Sequence, residues 1–542
     1  MQSTVRFSSC RGVAFEIKRH EDPFAIKTLP VEEAPSNSLL FWLGSSKVFP
    51  SLISRSISKT SSHFCDLDLN EDELDIDLEI VPEENDEEKQ KQSPLPLLGN
   101  SKPEQPSKPA QKNGSRLSII LLDQGLFTVY KRLFAVCLAL NIAGLVLAAT
   151  GNFPYARSRA ALVSIANILA LILCRSEAFL RVIFWLAVKI FGRSWIPLFL
   201  KTAITSLLQS LGGIHSGCGV SSIAWLTYAL VLTLKDRENT SPEIIGVAST
   251  ILGLLCLSCL AAFPLVRHLH HNVFERTHRF AGWTALVFLW AFVILKISYD
   301  PETKSYKNDL GSRLIKQQEF WFTVATTLLI ILPWLTVRRV AVSVSAPSGH
   351  ASIIKFEGGV KAGILGRISP SPLSEWHAFG IISDDKEHMM LAGAVGDFTK
   401  SLVSNPPSHL WVRQVHFAGL PYLVNMYERV VLVATGSGIC VFLSFLLQKS
   451  SADVCLVWVA KGIEQNFGKE IKEMVSGWPK EKVIVHDTAV LGRPNVSQMS
   501  IEAARNWRAE VVIVTSNPEG SRDVVNACKA EGIPAFGPIW DS

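Results

Sequence analysis

The chain is predicted to fold as a multi-pass α-helical membrane domain followed by a small β-barrel and an α/β domain built on a parallel sheet. Three observations predict it: apolar segments of membrane-spanning length between residues 133 and 337, short alternating runs after Arg339, and apolar strands alternating with helical spacing after Glu428. Composition sets the same bounds. With 542 residues, 48% of them apolar, the chain is too greasy for a soluble protein that also carries an acidic tail. Its net charge of +5 is scattered, with no basic stripe or aromatic platform, so no nucleic acid is expected as a partner. Ten cysteines stand singly and frame neither a disulfide scaffold nor a zinc site. Cys256 and Cys259, the one close pair, share a face of an apolar helix, where packing outweighs redox chemistry.

Residues 1–115 lack apolar periodicity, carry the acidic runs DLDLNEDELDIDLE and EENDEEK, and end in a Pro/Lys/Gln/Ser linker, the composition of a disordered tail. The first twenty residues are rich in Ser and Arg, as transit peptides are. Glu16, Glu21 and Asp22 arrive early, however, and no apolar stretch of a secretory signal follows.

The membrane domain is assigned to residues 116–337, with about six helices at 133–149, 160–174, 214–234, 244–266, 280–295 and 320–337. Each is expected to be apolar over a stretch long enough to cross a hydrocarbon core of roughly 30 Å. Two further apolar pieces, 179–191 and 196–211, are interrupted by Arg181, Lys189, Arg193 and Lys201 and read as interfacial or re-entrant. Counted as a hairpin they make eight crossings, again an even number, so both termini stay on one side. Lys and Arg cluster before the first span, between the second and third, at Arg267, Arg276 and Arg279, and at Arg338 and Arg339, which places those sides in the cytosol. One opposite loop holds the sequon Asn239-Thr240-Ser241.

Residues 338–427 read as the barrel, from runs such as VAVSVSA, ASIIKFEG and HLWVRQVHF. In residues 428–542 the segments ERVVLVA, DVCLVWVA, KVIVHDT and AEVVIVT read as buried parallel strands, with helical spacing after the first, second and fourth. The run VVLVATGSGICVFLSFLL sets a glycine-rich turn between a strand and a helix, where backbone N–H groups can hold a pyrophosphate. Gly436 and Gly438 allow close approach; Thr435 and Ser437 add hydroxyls. The bland alternative is a tight turn without a ligand. Lys461, in place of an acidic residue at the end of the second strand, tilts the expectation toward NADPH over NADH.

Upstream of that turn, SEWHAFGIIS resembles the WHPFTI flavin motif of the ferric reductase and NADPH oxidase superfamily. GAVGDFTKSL is similar to that family's flavin pyrophosphate segment, YERVVLVATGSGI to its nicotinamide-nucleotide turn, and HNVFERTHRFAGW to the entry of its fifth membrane helix. The strings IHSGC, FERTHRF and FGPIW resemble most the TmpA-like membrane oxidoreductases of fungi and plants. The resemblance covers about residues 130–540. It implies that the C-terminal half is a ferredoxin-reductase-like module, a flavin barrel plus a nucleotide sheet, passing electrons from NAD(P)H to FAD. It points to Trp376, His377 and Phe379 at the flavin. It also shows departures: the motif's Pro is Ala378, and the hydroxyl residue expected near the flavin N5 is Gly380. SNPEG stands where catalytic relatives have a Cys-Gly-Pro turn, and Trp540 could cover the flavin or simply pack.

Haem in that family is held by four histidines, two on each of two helices. Here position 292 is Phe292 and position 201 is Lys201, so the pattern excludes two stacked haems. One haem b remains open if His215 and His278 lie at equal depth, which their matching apolar runs favour; the alternative is two histidines at helix ends or headgroups. His268, His270 and His271 are expected in a basic cytosolic loop. Two functions stay open: a transmembrane oxidoreductase delivering electrons to a small acceptor, or a catalytically weak, nucleotide-binding sensor or scaffold. Either is expected as a multi-pass protein in a lipid bilayer, the plasma membrane first and a plastid or endomembrane second, with both termini cytosolic.

Overall fold

A computed structural model describes residues 7–10, 13–16, 128–307 and 309–539. The acidic tail and Trp540 lie outside the described residues, as do the side chains of His268 and His271. Near the N-terminus, strands Phe7–Cys10 and Val13–Glu16 pair antiparallel.

Thr128 opens the first helix, α1 (Val129–Ala149), its hydroxyl accepting the N–H of Lys131. There follow α2 (Ala160–Leu173), α3 (Glu177–Phe191), α4 (Leu198–Gln209), α5 (Gly212–Lys235), α6 (Pro242–Ala261), α7 (Pro264–Leu269), α8 (His271–Ser298) and α9 (Gln318–Leu335). Among the described residues five helices, α1, α5, α6, α8 and α9, are long and apolar enough to cross a membrane. The count reaches six if α2 and α3, bent by 67° at a short break, form one broken span. The expected span at 160–174 is thus a 14-residue helix, about 21 Å long and short of a bilayer core by itself. The expected span 244–266 also breaks, because Pro264 has no N–H to continue α6 and instead starts α7.

Each long helix carries apolar residues on its open side: Leu140, Leu260 and Val287 are each more than two-thirds exposed. Polar contacts fix register inside the bundle. Asn141 on α1 accepts from Asn167 of α2 at 2.9 Å and from the Trp225 indole of α5 at 3.0 Å. Such bonds are favoured where no water competes.

Chain leaving α9 enters an antiparallel module directly at Val337. Its strands are β1 (Val337–Ala341), β2 (Ser343–Ser345), β3 (Ala351–Glu357), β4 (Ile364–Ser369), β5 (His377–Gly380), β6 (Ile382–Ser383), β7 (Glu387–Gly393), β8 (His409–Arg413) and β9 (Phe417–Ala418). One sheet has the order β6-β7-β3-β2 and the other β9-β4-β8-β1, with β5 also paired to β4. Between β7 and β8 sits α10 (Asp397–Ser404).

The last domain is a five-stranded, all-parallel sheet of β10 (Arg429–Thr435), β11 (Asp453–Ala460), β12 (Val483–Asp487), β13 (Val511–Thr515) and β14 (Ala535–Phe536), in the order β12-β11-β10-β13-β14. Its crossover helices are α11 (Ile463–Val475), α12 (Val496–Trp507) and α13 (Pro518–Ala530). Two expectations need correction. The segment after β10 is a 3₁₀ turn, Gly436–Val441, with one helical turn at Ser444–Leu447, because it is buried against β5 and β7 and cannot extend as a surface helix. Conversely α12, after the third strand, went unread: its apolar residues are few, and Asn495 caps its start by accepting the N–H of Gln498. A single apolar core runs from α3 and α4 through the barrel to one face of the parallel sheet, and a second covers the other face under α12 and α13.

Candidate functional site

The strand order reverses between β10 and β13, and crevices beyond the carboxyl ends of strands at such a switch point are where parallel α/β sheets hold ligands. The glycine-rich turn lies at that point. Gly436 has φ +51°, a left-handed conformation that a side chain would strain, and its carbonyl accepts the indole N–H of the fully buried Trp458 at 2.9 Å. Across the crevice the Thr435 hydroxyl meets that of Ser516 at 2.8 Å. Ser437 and Gly438 are buried within the turn. Of the predicted nucleotide residues, Thr435 and Gly436–Gly438 therefore share one place.

SNPEG proves to be a helix start: Asn517 accepts the N–H of Gly520 at 2.7 Å and caps α13. Ser516 went unread from sequence, since nothing local marks a serine that is brought to Thr435 only by sheet order.

Lys461 is exposed beyond the end of β11. Beside it, Asp487 from the end of β12 accepts from the backbone N–H groups of Gly462 (2.8 Å), Ile463 (2.9 Å) and Ala489 (2.9 Å). Burial pushes the Asp487 carboxyl up, but the three N–H donors outweigh it and hold it below its ordinary value. An anion therefore already occupies the start of α11, which opposes the 2′-phosphate that Lys461 alone was read to favour.

The strand resembling a flavin motif is more enclosed than expected. Phe379 is 5% exposed and belongs to the barrel core, and Trp376 is 6% exposed. Trp376 lies edge-on to Trp334 of α9 at 6.4 Å and under the Arg413 guanidinium at 4.8 Å. Only His377 is half-buried at an edge, stacked at 4.6 Å on Phe398 of α10, the helix following GAVGD. A Cβ added to Gly380 would stand 2.7 Å from the backbone nitrogen of Val441 and 2.8 Å from its Cα. Glycine at 380 is thus the residue its neighbour permits. The residues present suit a dinucleotide's phosphates better than a flavin ring stacked on Phe379.

In the bundle, α5 and α8 bring the His215 and His278 rings to 6.4 Å between centroids. His215 Nδ1 lies 2.9 Å from the Leu171 carbonyl, and His278 Nδ1 lies 3.3 Å from the Ser258 carbonyl and 3.4 Å from the Ser258 hydroxyl. The spacing suits two imidazoles sharing one metal at roughly 2 Å from each nitrogen. Four residues after each histidine is a glycine, Gly219 and Gly282, and a Cβ at either would meet nothing within 4 Å. Among the described residues no group of three or more His, Cys, Asp or Glu could hold a metal ion, so the pair stands without further protein ligands.

The FERTHRF segment joins the two regions. Arg279 donates to the carbonyls of Leu373 (3.0 Å) and Ser374 (3.1 Å), Arg276 pairs with Glu375 at 2.7 Å, and Glu275 pairs with Arg279. The loop leading into β5 is thereby clamped on the start of α8. A second joint has Glu177 of α3, 7% exposed, paired with Arg367 of β4 and with Arg413 of β8 at 3.0 Å.

An antiparallel barrel is thus paired with a parallel α/β sheet that has a crevice at its switch point, next to an apolar helical bundle. Residues 420–542 match the family model "Adenylate-forming reductase 03009, C-terminal domain". The chain is 34% identical to adenylate-forming reductase 03009 of Coprinopsis cinerea over 80% of its own length and 42% of that protein's. It is 33% identical to adenylate-forming reductase 06235 of the same fungus over 78% of its length and 41% of that protein's. It therefore spans about two-fifths of these curated relatives. Among solved structures it is similar to a flavohemoglobin from Malassezia yamatoensis, at 14% identity and a TM-score of 0.33 over 68% of this chain and 98% of that one.

Proposed function

We propose that the chain is a membrane oxidoreductase that draws electrons from NAD(P)H through FAD in the barrel and sheet, and through one haem b between His215 and His278, to a small-molecule acceptor. The observation that carries this reading is the histidine pair, placed 6.4 Å apart with both Nδ1 atoms turned to main-chain carbonyls and open space beside both neighbouring glycines. Five long apolar helices support the membrane assignment, and the Lys and Arg distribution supports cytosolic termini, in the plasma membrane or else a plastid or endomembrane. The relatives of which this chain spans about two-fifths are reductases by name, which supports the same class. The likeness of WHAFG, GAVGDF and ATGSGI to the ferric reductase superfamily, and to TmpA-like proteins within it, supports the same class.

Thr435, Ser437 and the turn amides bind the nucleotide's phosphates, Trp458 holds the turn, and the Thr435–Ser516 contact closes the crevice behind it. Asp487 makes NADH the expected donor. His377 and the start of α10 are left to hold the flavin's phosphates. When bound, flavin and haem would supply the two-electron to one-electron conversion that side chains lack.

A second reading is favoured by one observation, the closed contact of Gly380 with Val441 and the burial of Phe379: a nucleotide-binding sensor or scaffold with weak catalysis. Absorbance of the detergent-purified chain separates the two. A flavin band with a Soret band that responds to NADH supports the enzyme. A colourless, folded protein that still binds NADH supports the sensor.

A further inference from the structure

At the end of the bundle away from the barrel, the last turns of α8, the short helix Leu310–Leu314 and the start of α9 line an open-mouthed cavity of about 170 Å³. Phe292, Val293 and Ile297 form its apolar wall; Lys296, Arg313, Gln317 and Glu319 form its polar one. Its position follows from chain direction. The start of α8 is clamped to the barrel loop, and Lys296 lies 18 residues beyond His278 (296 − 278), about 27 Å along the helix.

Two polar atoms there lack partners. Glu319 is only 7% exposed and its Oε2 accepts no hydrogen bond, while the buried Nη1 of Arg313 donates none. Lys296 reaches only the other oxygen of Glu319, at 3.4 Å, and lies over the Phe292 ring. Buried polar atoms are almost always satisfied by protein, water or ligand, and the volume exceeds what one water needs.

We propose that this cavity binds a small 2-hydroxycarboxylate. Arg313 receives the carboxylate, Glu319 Oε2 accepts the hydroxyl proton, and a short alkyl group meets Phe292, Val293 and Ile297. Charge selects within this class of ligand. Lys296 and Arg313 carry two positive charges against one negative on Glu319, so a monoanion neutralises the site. A zwitterionic amino acid leaves it charged, and inorganic phosphate offers nothing to the apolar wall. The site shares no residue with the nucleotide crevice or the histidine pair, so it stands whether or not the oxidoreductase reading does.

The test is calorimetric titration of the full chain in detergent with lactate, propionate, alanine and inorganic phosphate. Lactate should bind at least about tenfold more tightly than the other three, roughly the worth of one buried hydrogen bond. Glu319→Gln should bring lactate and propionate close together, and Arg313→Gln should weaken both. Val293→Phe fills the cavity without altering a charge and should remove lactate binding; it decides the matter if a polar variant fails to fold. Four results overturn the proposal: no binding by any probe, equal binding of lactate and propionate, a preference for alanine or phosphate, or unchanged lactate affinity in Val293→Phe.

Discussion

The helix bundle and the barrel present opposite lessons about a motif. WHAFG is the segment most like a cofactor motif, yet its aromatic side chains are spent on the core and its glycine lies against Val441. His215 and His278 share only a glycine four residues on and similar apolar runs, stand 63 residues apart (278 − 215), and are brought to 6.4 Å between ring centroids by the packing of α5, α6 and α8. A local string reports which strand a residue joins. Whether its surface stays open is decided by what packs on it later.

Four experiments would break or sharpen that contrast. The largest effect is expected from His215→Ala or His278→Ala, each of which should abolish a Soret band while nucleotide titrations stay unchanged; a persistent band removes the pair as iron ligands. Next, Glu177→Gln should cost about 3–5 kcal/mol, since it leaves the largely buried Arg413, and the partly exposed Arg367, without their carboxylate. A thermal melt in detergent should show the barrel coming apart from the bundle at a clearly lower temperature.

The third concerns acid. Burial, then the charges of His388 and Arg181, lower the His416 pKa to about 4 from an ordinary 6.5. The unfolded chain therefore binds a proton that the folded one refuses, and stability falls as pH drops from about 6.5 to 4, by at most about 3 kcal/mol. His416→Gln should flatten a melting-temperature profile across that window. The smallest effect is expected at the flavin-like strand. Gly380→Ser restores the hydroxyl of the motif but pushes on the Val441 backbone, at about 1–3 kcal/mol. It should lower the melting temperature without raising flavin content; a gain in bound flavin would show that the strand opens.

Much of the fold was legible because long apolar runs and strand–turn alternation are local signals: the long helices, the barrel runs and four of the five parallel strands stand near their expected places. Boundaries failed where one backbone atom decides, as at Pro264, or where burial overrides spacing, as in the 3₁₀ turn after β10. The candidate site was legible only in part. Thr435 and the glycines announce themselves in ATGSGI, whereas Ser516, Asp487 and the Glu177–Arg413 pair are assembled by sheet order and inter-domain docking. Lys461 could be read at the end of its strand, but Asp487, which folding brings beside it, could not.

Helix α8 runs 28 residues without an internal proline, about 42 Å from the loop it grips to the cavity at its far end. It is in effect a pushrod with no elbow. The clamp on the barrel loop, the His278 imidazole and the Lys296 wall of the far cavity are thereby strung on one unbroken helix.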